Sequence, residues 1–183
     1  MNHNRLGAIG RPAGELLPPG TDSRLLTFFD SWRSCRKGAL LPMKRDFDPS
    51  QISSLLRYAW LYRYEPQIGD FLCLLAGEDV NQAWGRSIRG KTLAEIVGED
   101  EHPAILQRWR EVLDVPLVQY GQRDEQLSNL SLWKAERLLM PLSTDGEQAD
   151  HIIGVSLYSL ATGNVPVRTS INEGKFRLRC DEV

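Results

Sequence analysis

The 183-residue sequence has few cysteines, few histidines and no long apolar run. Its three cysteines, Cys35, Cys73 and Cys180, are odd in number, far apart and outside any C-x-x-C spacing, which argues against a disulfide framework or a zinc site. No apolar run reaches the roughly 20 residues of a membrane span, and the first residues lack the apolar core of a secretory signal. We therefore expect a cytoplasmic protein with no membrane span.

An excess of charge of either sign is also missing, because 22 basic and 24 acidic residues leave a net charge of −2. This balance predicts no binding to nucleic acid. The three histidines, His3, His102 and His151, are too far apart for H-E-x-x-H or a similar metal pattern. Because no nucleophile with a base and no paired carboxylates stand out either, we predict a protein without a metal site and without catalysis.

What the sequence does contain is a strand that runs directly into short helices, between residues 70 and 91. The apolar run Phe71–Ala76 has the length of a buried strand, and the amphipathic segment Glu78–Trp84 follows it after one glycine. The T-x-x-E spacing of Thr92 and Glu95 then predicts a capped helix. To bury their apolar side chains, these helical turns must fold back over the strand, which can enclose a small pocket between sheet and helices.

The remaining patterns complete an α+β element order. Helices are predicted at Ser23–Lys37, after Asp48-Pro49 and at Pro103–Val115, and further strands at Tyr58–Tyr64, Leu117–Gln122, Leu130–Leu142 and His151–Leu160. Asp145-Gly146 predicts a hairpin turn, and Gly154 within the last strand predicts close approach by a neighbour. Two antiparallel strands, a helical connection and three more strands predict a five-stranded antiparallel sheet with helices on one face.

We divide the chain into a flexible leader (1–20), an N-terminal flanking helix (21–38), a central domain (39–161) and a polar C-terminal tail (162–183). The flanking helix has one apolar face, formed by Leu25, Phe28, Phe29 and Trp32. We expect this face to form a homodimer interface; the alternative is that it covers the core of its own domain. Helical periodicity locates an apolar face but does not show whether a second chain or the domain's own core covers it.

The element order and several stretches resemble PAS domains, in particular small stand-alone PAS proteins of alphaproteobacteria. The stretches are Leu41–Pro49 (LPMKRDFDP), Gly69–Phe71, Leu75–Gly77, Trp84–Lys91 (WGRSIRGK) and, more weakly, Leu138–Ser143. The resemblance extends from about Leu25 to Leu160 and implies a PAS-like fold, small-molecule sensing, dimerisation through a flanking helix and contact with a signalling protein. An arginine that the family usually carries near Cys73 and Leu74 is absent here, and so is its polar contact.

Eight side chains are candidates for the wall of a ligand pocket: Phe71, Cys73, Trp84, Ile88, Leu106, Trp109, Met140 and Tyr158. The alternative is that they fill the core and leave no cavity. The residues argue against haem, because His102 is a single histidine at a helix start. They also argue against flavin, because Cys73 lies on a strand and Cys35 on the leading helix, which does not fit the flavin motif. The ligand stays unknown.

We expect a non-catalytic sensory and regulatory module of bacterial signalling that acts through small-molecule sensing, protein contacts or both. A ligand-free structural adaptor with a filled core is the first alternative. The second is a nucleotide-binding enzyme, because Gly85–Thr92 matches the P-loop string G-x-x-x-x-G-K-S/T. A genuine P-loop follows a buried parallel strand and opens a substantial helix, whereas this string follows a helical segment.

Overall fold

The computed structural model describes residues 10–128, 131–160 and 176–183. At its centre lies a six-stranded sheet in which every neighbouring pair of strands is antiparallel. The strands are β1 (Ala59–Glu65), β2 (Asp70–Ala76), β3 (Leu117–Ser128), β4 (Ser131–Ser143), β5 (Ala149–Leu160) and β6 (Phe176–Arg179). Their spatial order is β2-β1-β5-β4-β3-β6. The predicted α+β fold with an antiparallel sheet is confirmed, and a sixth strand is added at the edge beside β3.

Helices cover both faces of this sheet. The α-helices are α1 (Ala13–Leu16), α2 (Ser23–Ser34), α3 (Glu78–Ala83), α4 (Leu93–Val97) and α5 (His102–Asp114), and 3₁₀ helices span Lys44–Asp46, Pro49–Tyr58 and Cys180–Glu182. The connection between β2 and β3 contains α3, α4 and α5, which pack on one face. The opposite face is covered by α1 and α2.

The predicted helices on one face are α3–α5, and the predicted flanking helix α2 covers the opposite face. The strands themselves show why both layers are needed. Three successive residues of β4, Leu138, Leu139 and Met140, are all buried. Since neighbouring side chains on a strand point to opposite faces, such a run requires cover on both sides of the sheet. Leu139 packs against the helices α3–α5, whereas Leu138 and Met140 pack with α2.

The apolar face of α2 belongs to the protein's own core. Leu25, Phe28, Phe29 and Trp32 each have 0% exposed surface, and the indole Nε1 of Trp32 donates a hydrogen bond of 2.9 Å to the carbonyl oxygen of Pro141. The predicted dimer interface through these four side chains is thus wrong for this conformation, because the sheet already covers them. A homodimer formed through another surface stays a prediction.

Both ends of the chain contribute more structure than the predicted leader and tail. Ala13, Leu16 and Leu17 are buried against α2, so residues 13–17 are not a flexible leader. In the predicted polar tail, β6 pairs with β3 and Cys180 is fully buried. Residues 1–9 of the predicted leader and residues 162–175 of the predicted tail lie outside the described residues.

His151 on β5 makes stability depend on pH. The residue is 2% exposed. Its Nδ1 atom lies 2.7 Å from Asp150 Oδ1, and Nε2 has no hydrogen-bonding partner among the described residues. Burial lowers the pKa of His151 below its ordinary value of 6.5, and the Asp150 carboxylate only partly offsets this. Because the unfolded chain takes up this proton at higher pH than the folded one, the free energy of unfolding falls as the pH drops below about 6.5.

We expect the variant His151→Gln to lose less stability on acidification than the parent protein. The measurement is the free energy of unfolding from urea titrations at several pH values between about 7.5 and 5. Carboxylates with lowered pKa values, such as Asp22 and Asp145, lose their contribution only at more acidic pH, so they do not mask the difference. Parallel curves for the two proteins over this range would contradict the prediction.

Candidate functional site

A cavity of about 120 Å³ lies between the sheet and the helices α3–α5. Its wall consists of aromatic and aliphatic side chains with a small number of charged groups. The lining residues are Trp60, Tyr62, Val80, Trp84, Ile88, Leu93, Ile96, Val97, Glu101, Ile105, Arg108, Trp109, Arg123, Arg137 and Tyr158. Eleven of these residues are aromatic or aliphatic and four are charged. Such a combination of apolar side chains with a few convergent polar groups is typical of small-molecule sites.

An aromatic cluster in the cavity wall joins the sheet to α5. The rings of Trp60 on β1 and Trp109 on α5 are stacked, with centroids 5.0 Å apart and planes within 6°. Tyr62 meets both rings edge-on, at 5.4 Å from Trp60 and 4.8 Å from Trp109. Gly154 on β5 makes room for Trp60, since a Cβ atom there would lie 2.1 Å from its ring. The predicted close approach at Gly154 is therefore confirmed.

Hydrogen bonds fix the polar groups of the cavity wall. Ser156 Oγ accepts a bond of 2.8 Å from Trp60 Nε1 and one of 2.9 Å from Arg137 Nε. The same guanidinium donates to the Tyr158 hydroxyl at 3.2 Å. These bonds orient the stacked indole and the guanidinium in one network across β1, β4 and β5, so the wall is rigid on its sheet side.

Local sequence features hold the short helices over the cavity. The capping box of Thr92 and Glu95 at the start of α4 is formed as predicted. The Asn81 side chain of α3 donates to the carbonyl of Ala76 and accepts from the backbone N–H of Ile88. This amide therefore ties α3 both to the end of β2 and to the loop that places Ile88 against the cavity.

The P-loop string occupies a different structural context from a nucleotide site. Backbone bonds join Cys73 N to Lys91 O at 2.9 Å and Gly90 N to Cys73 O at 2.8 Å. The loop therefore lies along the strand β2, and the helix after it, α4, has only five residues. The buried parallel strand and long helix that a P-loop requires are not found at this position.

The structure distributes the eight predicted pocket residues over three places. Trp84, Ile88, Trp109 and Tyr158 line the cavity. Phe71, Cys73 and Leu106 belong to the apolar cluster behind that wall. Met140 packs under α2 on the opposite sheet face, so its assignment to the pocket is wrong, because its strand position points away from α3–α5.

Eleven of the lining residues were not among the predicted pocket residues, and these include Trp60, Tyr62, Arg108, Arg123 and Arg137. Alternation along β1 could have indicated the first two, since both lie on the face that carries no charge in that strand. The arginines had no such indication, because a charged residue in an amphipathic helix or strand usually faces solvent.

Two residues considered for cofactor chemistry are placed away from the cavity wall. His102 Nε2 lies 3.0 Å from Asp70 Oδ1 at the start of α5. Cys73 is buried, and burial raises the pKa of its thiol to about 11, so it is protonated at neutral pH.

Among the described side chains, no cluster of three or more histidine, cysteine or acidic residues is placed to hold a metal ion. Within the same residues, no helix is long and apolar enough to cross a membrane.

Comparison with known families assigns this fold. A family model described as PAS domain matches residues 21–157. The chain belongs to the PAS domain family. The matched range starts at the N-cap region of α2 and ends within β5. It therefore includes the flanking helix, the strands β1–β4, the helices α3–α5 and most of β5.

Solved structures with similar folds include a LOV protein of Rhodobacter sphaeroides. That protein is 16% identical, with 64% of this chain and 71% of its own chain covered and a TM-score of 0.45. A variant of the same LOV protein is 14% identical, with coverages of 64% and 73% and a TM-score of 0.44. No curated protein sequence matches the chain.

Proposed function

We propose that this PAS domain is a non-catalytic sensory module that responds to a small molecule bound between the sheet and α3–α5. The observation that carries this proposal is the cavity of about 120 Å³, walled by the Trp60–Trp109 stack and by oriented polar groups. An apolar engineered cavity of about 150 Å³ accommodates benzene, so this volume suits the body of a ligand of comparable size.

A change in the cavity would reach α2 through the sheet. Arg137 faces the cavity, while its neighbour Glu136 accepts a bond of 3.0 Å from the backbone N–H of Asp22, the N-cap of α2. Ser156 and Val155 on β5 are likewise neighbours on opposite faces, and Val155 packs with α2. Since successive strand residues alternate between faces, a ligand that shifts Arg137 or Ser156 also shifts the surface on which α2 rests. A signalling partner or a second copy would sense α2 from its exposed side.

Native mass spectrometry of the purified protein, compared with its denatured mass, tests this proposal. A stoichiometric small molecule that is lost on denaturation would support it and identify the compound by mass. For protein that carries no molecule, titration with benzoate and benzamide, followed by the fluorescence of the cavity tryptophans, supplies the second measurement. Binding of neither probe would favour the ligand-free adaptor. The same native spectra report whether the protein is a homodimer.

Filling the cavity should abolish binding without unfolding the protein. Ile105 on α5 lines the cavity, and its replacement by phenylalanine adds a ring to that space. We expect Ile105→Phe to lose bound small molecule or probe while it keeps a cooperative thermal transition, since overpacking usually costs about 1–3 kcal/mol. Gln107→Phe is the matched control, because Gln107 lies on the exposed side of the same helix. Unchanged binding in Ile105→Phe would contradict a ligand in this cavity.

A further inference from the structure

The cavity borders an outer groove of about 440 Å³, which is lined by the segment 97–101, by α5 and by Arg123 on β3. Cavity and groove share five lining residues: Val97, Glu101, Ile105, Arg108 and Arg123. These residues therefore form the boundary between the enclosed space and the surface. A molecule that moves from the groove into the cavity must pass them.

An ion pair closes this boundary. Arg123 on β3 donates a hydrogen bond of 2.7 Å to Glu101 Oε2, just before α5. The Arg123 and Glu101 side chains are 17% and 39% exposed respectively, so both members of the pair are partly buried. The pair joins β3 to the residue before α5 and spans the boundary between cavity and groove. Ile105 and Arg108 lie one and two helical turns further along α5 and line the same boundary.

The charged side chains that line the cavity indicate the chemistry of the ligand. Among the described residues that line the cavity, three carry guanidinium groups, Arg108, Arg123 and Arg137, and one, Glu101, carries a carboxylate. A guanidinium offers several N–H donors in a planar fork that matches a carboxylate. Behind these groups the wall is aromatic and aliphatic, which suits an apolar body.

We propose that the cavity takes a small organic carboxylate with an apolar body, and that Glu101 is its gate. This inference rests on the proposed sensory function. The ligand carboxylate replaces that of Glu101 on Arg123, and Glu101 turns toward the groove and water. The exchange leaves no buried charge without a counter-charge, which is the condition for moving an ion into a low-dielectric site.

The test compares benzoate with benzamide, a neutral molecule of nearly the same shape, on the full chain. Fluorescence titration is suitable because Trp60, Trp84 and Trp109 line the cavity. We expect benzoate to bind the parent protein about tenfold more tightly than benzamide. In Glu101→Gln the competing carboxylate is gone, so benzoate should bind about tenfold more tightly still, with benzamide changed by less than about twofold.

Two further variants show whether the change in benzoate affinity depends on the Glu101–Arg123 pair. Arg123→Gln should reduce benzoate affinity to about the level of benzamide. Glu99→Gln removes the same charge from an exposed residue of the groove and should leave benzoate affinity within about twofold of the parent. Because Glu101→Gln is expected to gain affinity, misfolding does not reproduce its effect.

The outcomes separate this inference from the function on which it rests. Equal binding of benzoate and benzamide, or equal gains in Glu101→Gln and Glu99→Gln, would overturn the carboxylate gate and leave the sensory cavity in place. Binding of neither probe to any variant, together with native protein that carries no molecule, would overturn both.

Discussion

Replacement of Gly154 by alanine is expected to lower the free energy of unfolding by about 3 kcal/mol, the upper part of the range for overpacked cores. A Cβ atom at this position would lie 2.1–2.3 Å from three carbon atoms of the Trp60 indole. The indole has no free direction in which to move, because it stacks on Trp109 at 5.0 Å and donates to Ser156 at 2.8 Å. Either the ring or β5 must shift, and both changes break the sheet-side wall of the cavity.

Urea denaturation of Gly154→Ala and Gly121→Ala tests this expectation with a matched pair of strand glycines. A Cβ atom at Gly121 on β3 would meet nothing within 4 Å, so its replacement should change stability by less than about 0.5 kcal/mol. Gly154→Ala should also bind benzoate and benzamide less tightly, since Trp60 lines the cavity. Similar stability of the two variants would show that Trp60 is not held against β5.

Replacement of Trp32 by alanine is expected to cost about 3–5 kcal/mol, the range for truncating a buried tryptophan. The side chain is fully buried beside Phe29, with ring centroids 5.9 Å apart. Truncation leaves a void under α2 and removes the N–H donor from the carbonyl of Pro141. Unpaired buried carbonyls add to the cost of lost apolar burial.

The Trp32→Ala variant also tests whether α2 is part of the protein's own core or a dimer interface. Thermal or urea denaturation measures the stability loss, and light scattering after size-exclusion chromatography measures the oligomeric state. Leu40→Ala is the control, because Leu40 is 49% exposed and its truncation should change stability by less than about 0.5 kcal/mol. If Trp32→Ala instead gave a monomer of unchanged stability from a dimeric parent, α2 would be an interface helix and not part of the core.

Features encoded by neighbouring residues could be predicted from the sequence. The Thr92–Glu95 capping box, the five principal strands and the close approach at Gly154 all follow from short spacings or from one residue type. The physical reason is that capping, turn formation and side-chain alternation depend on residues within a few positions of one another. Such patterns are present in the chain before it folds.

Other features depend on which elements meet in space. The apolar periodicity of α2 is the same whether the helix covers its own sheet or a second chain, and only the packed structure places Trp32 against Pro141. In the same way β6 exists because four residues near the C-terminus pair with β3, a contact that no local pattern specifies.

The cavity shows this difference most clearly. From the sequence alone, aromatic residues such as Trp84 and Trp109 were candidates for a pocket wall, with a filled core as the alternative. The arginines were left out of the site, because charged side chains are usually solvated. The fold brings Arg108 from a helix and Arg123 and Arg137 from two strands to one cavity, although Arg108 and Arg137 are 29 positions apart in the sequence. The sequence thus determined the helices and strands, the PAS fold and the apolar surfaces. Only tertiary packing decided which surfaces cover one another and which charged side chains face the cavity. The reason is that burial is a property of assembled elements and not of any one segment.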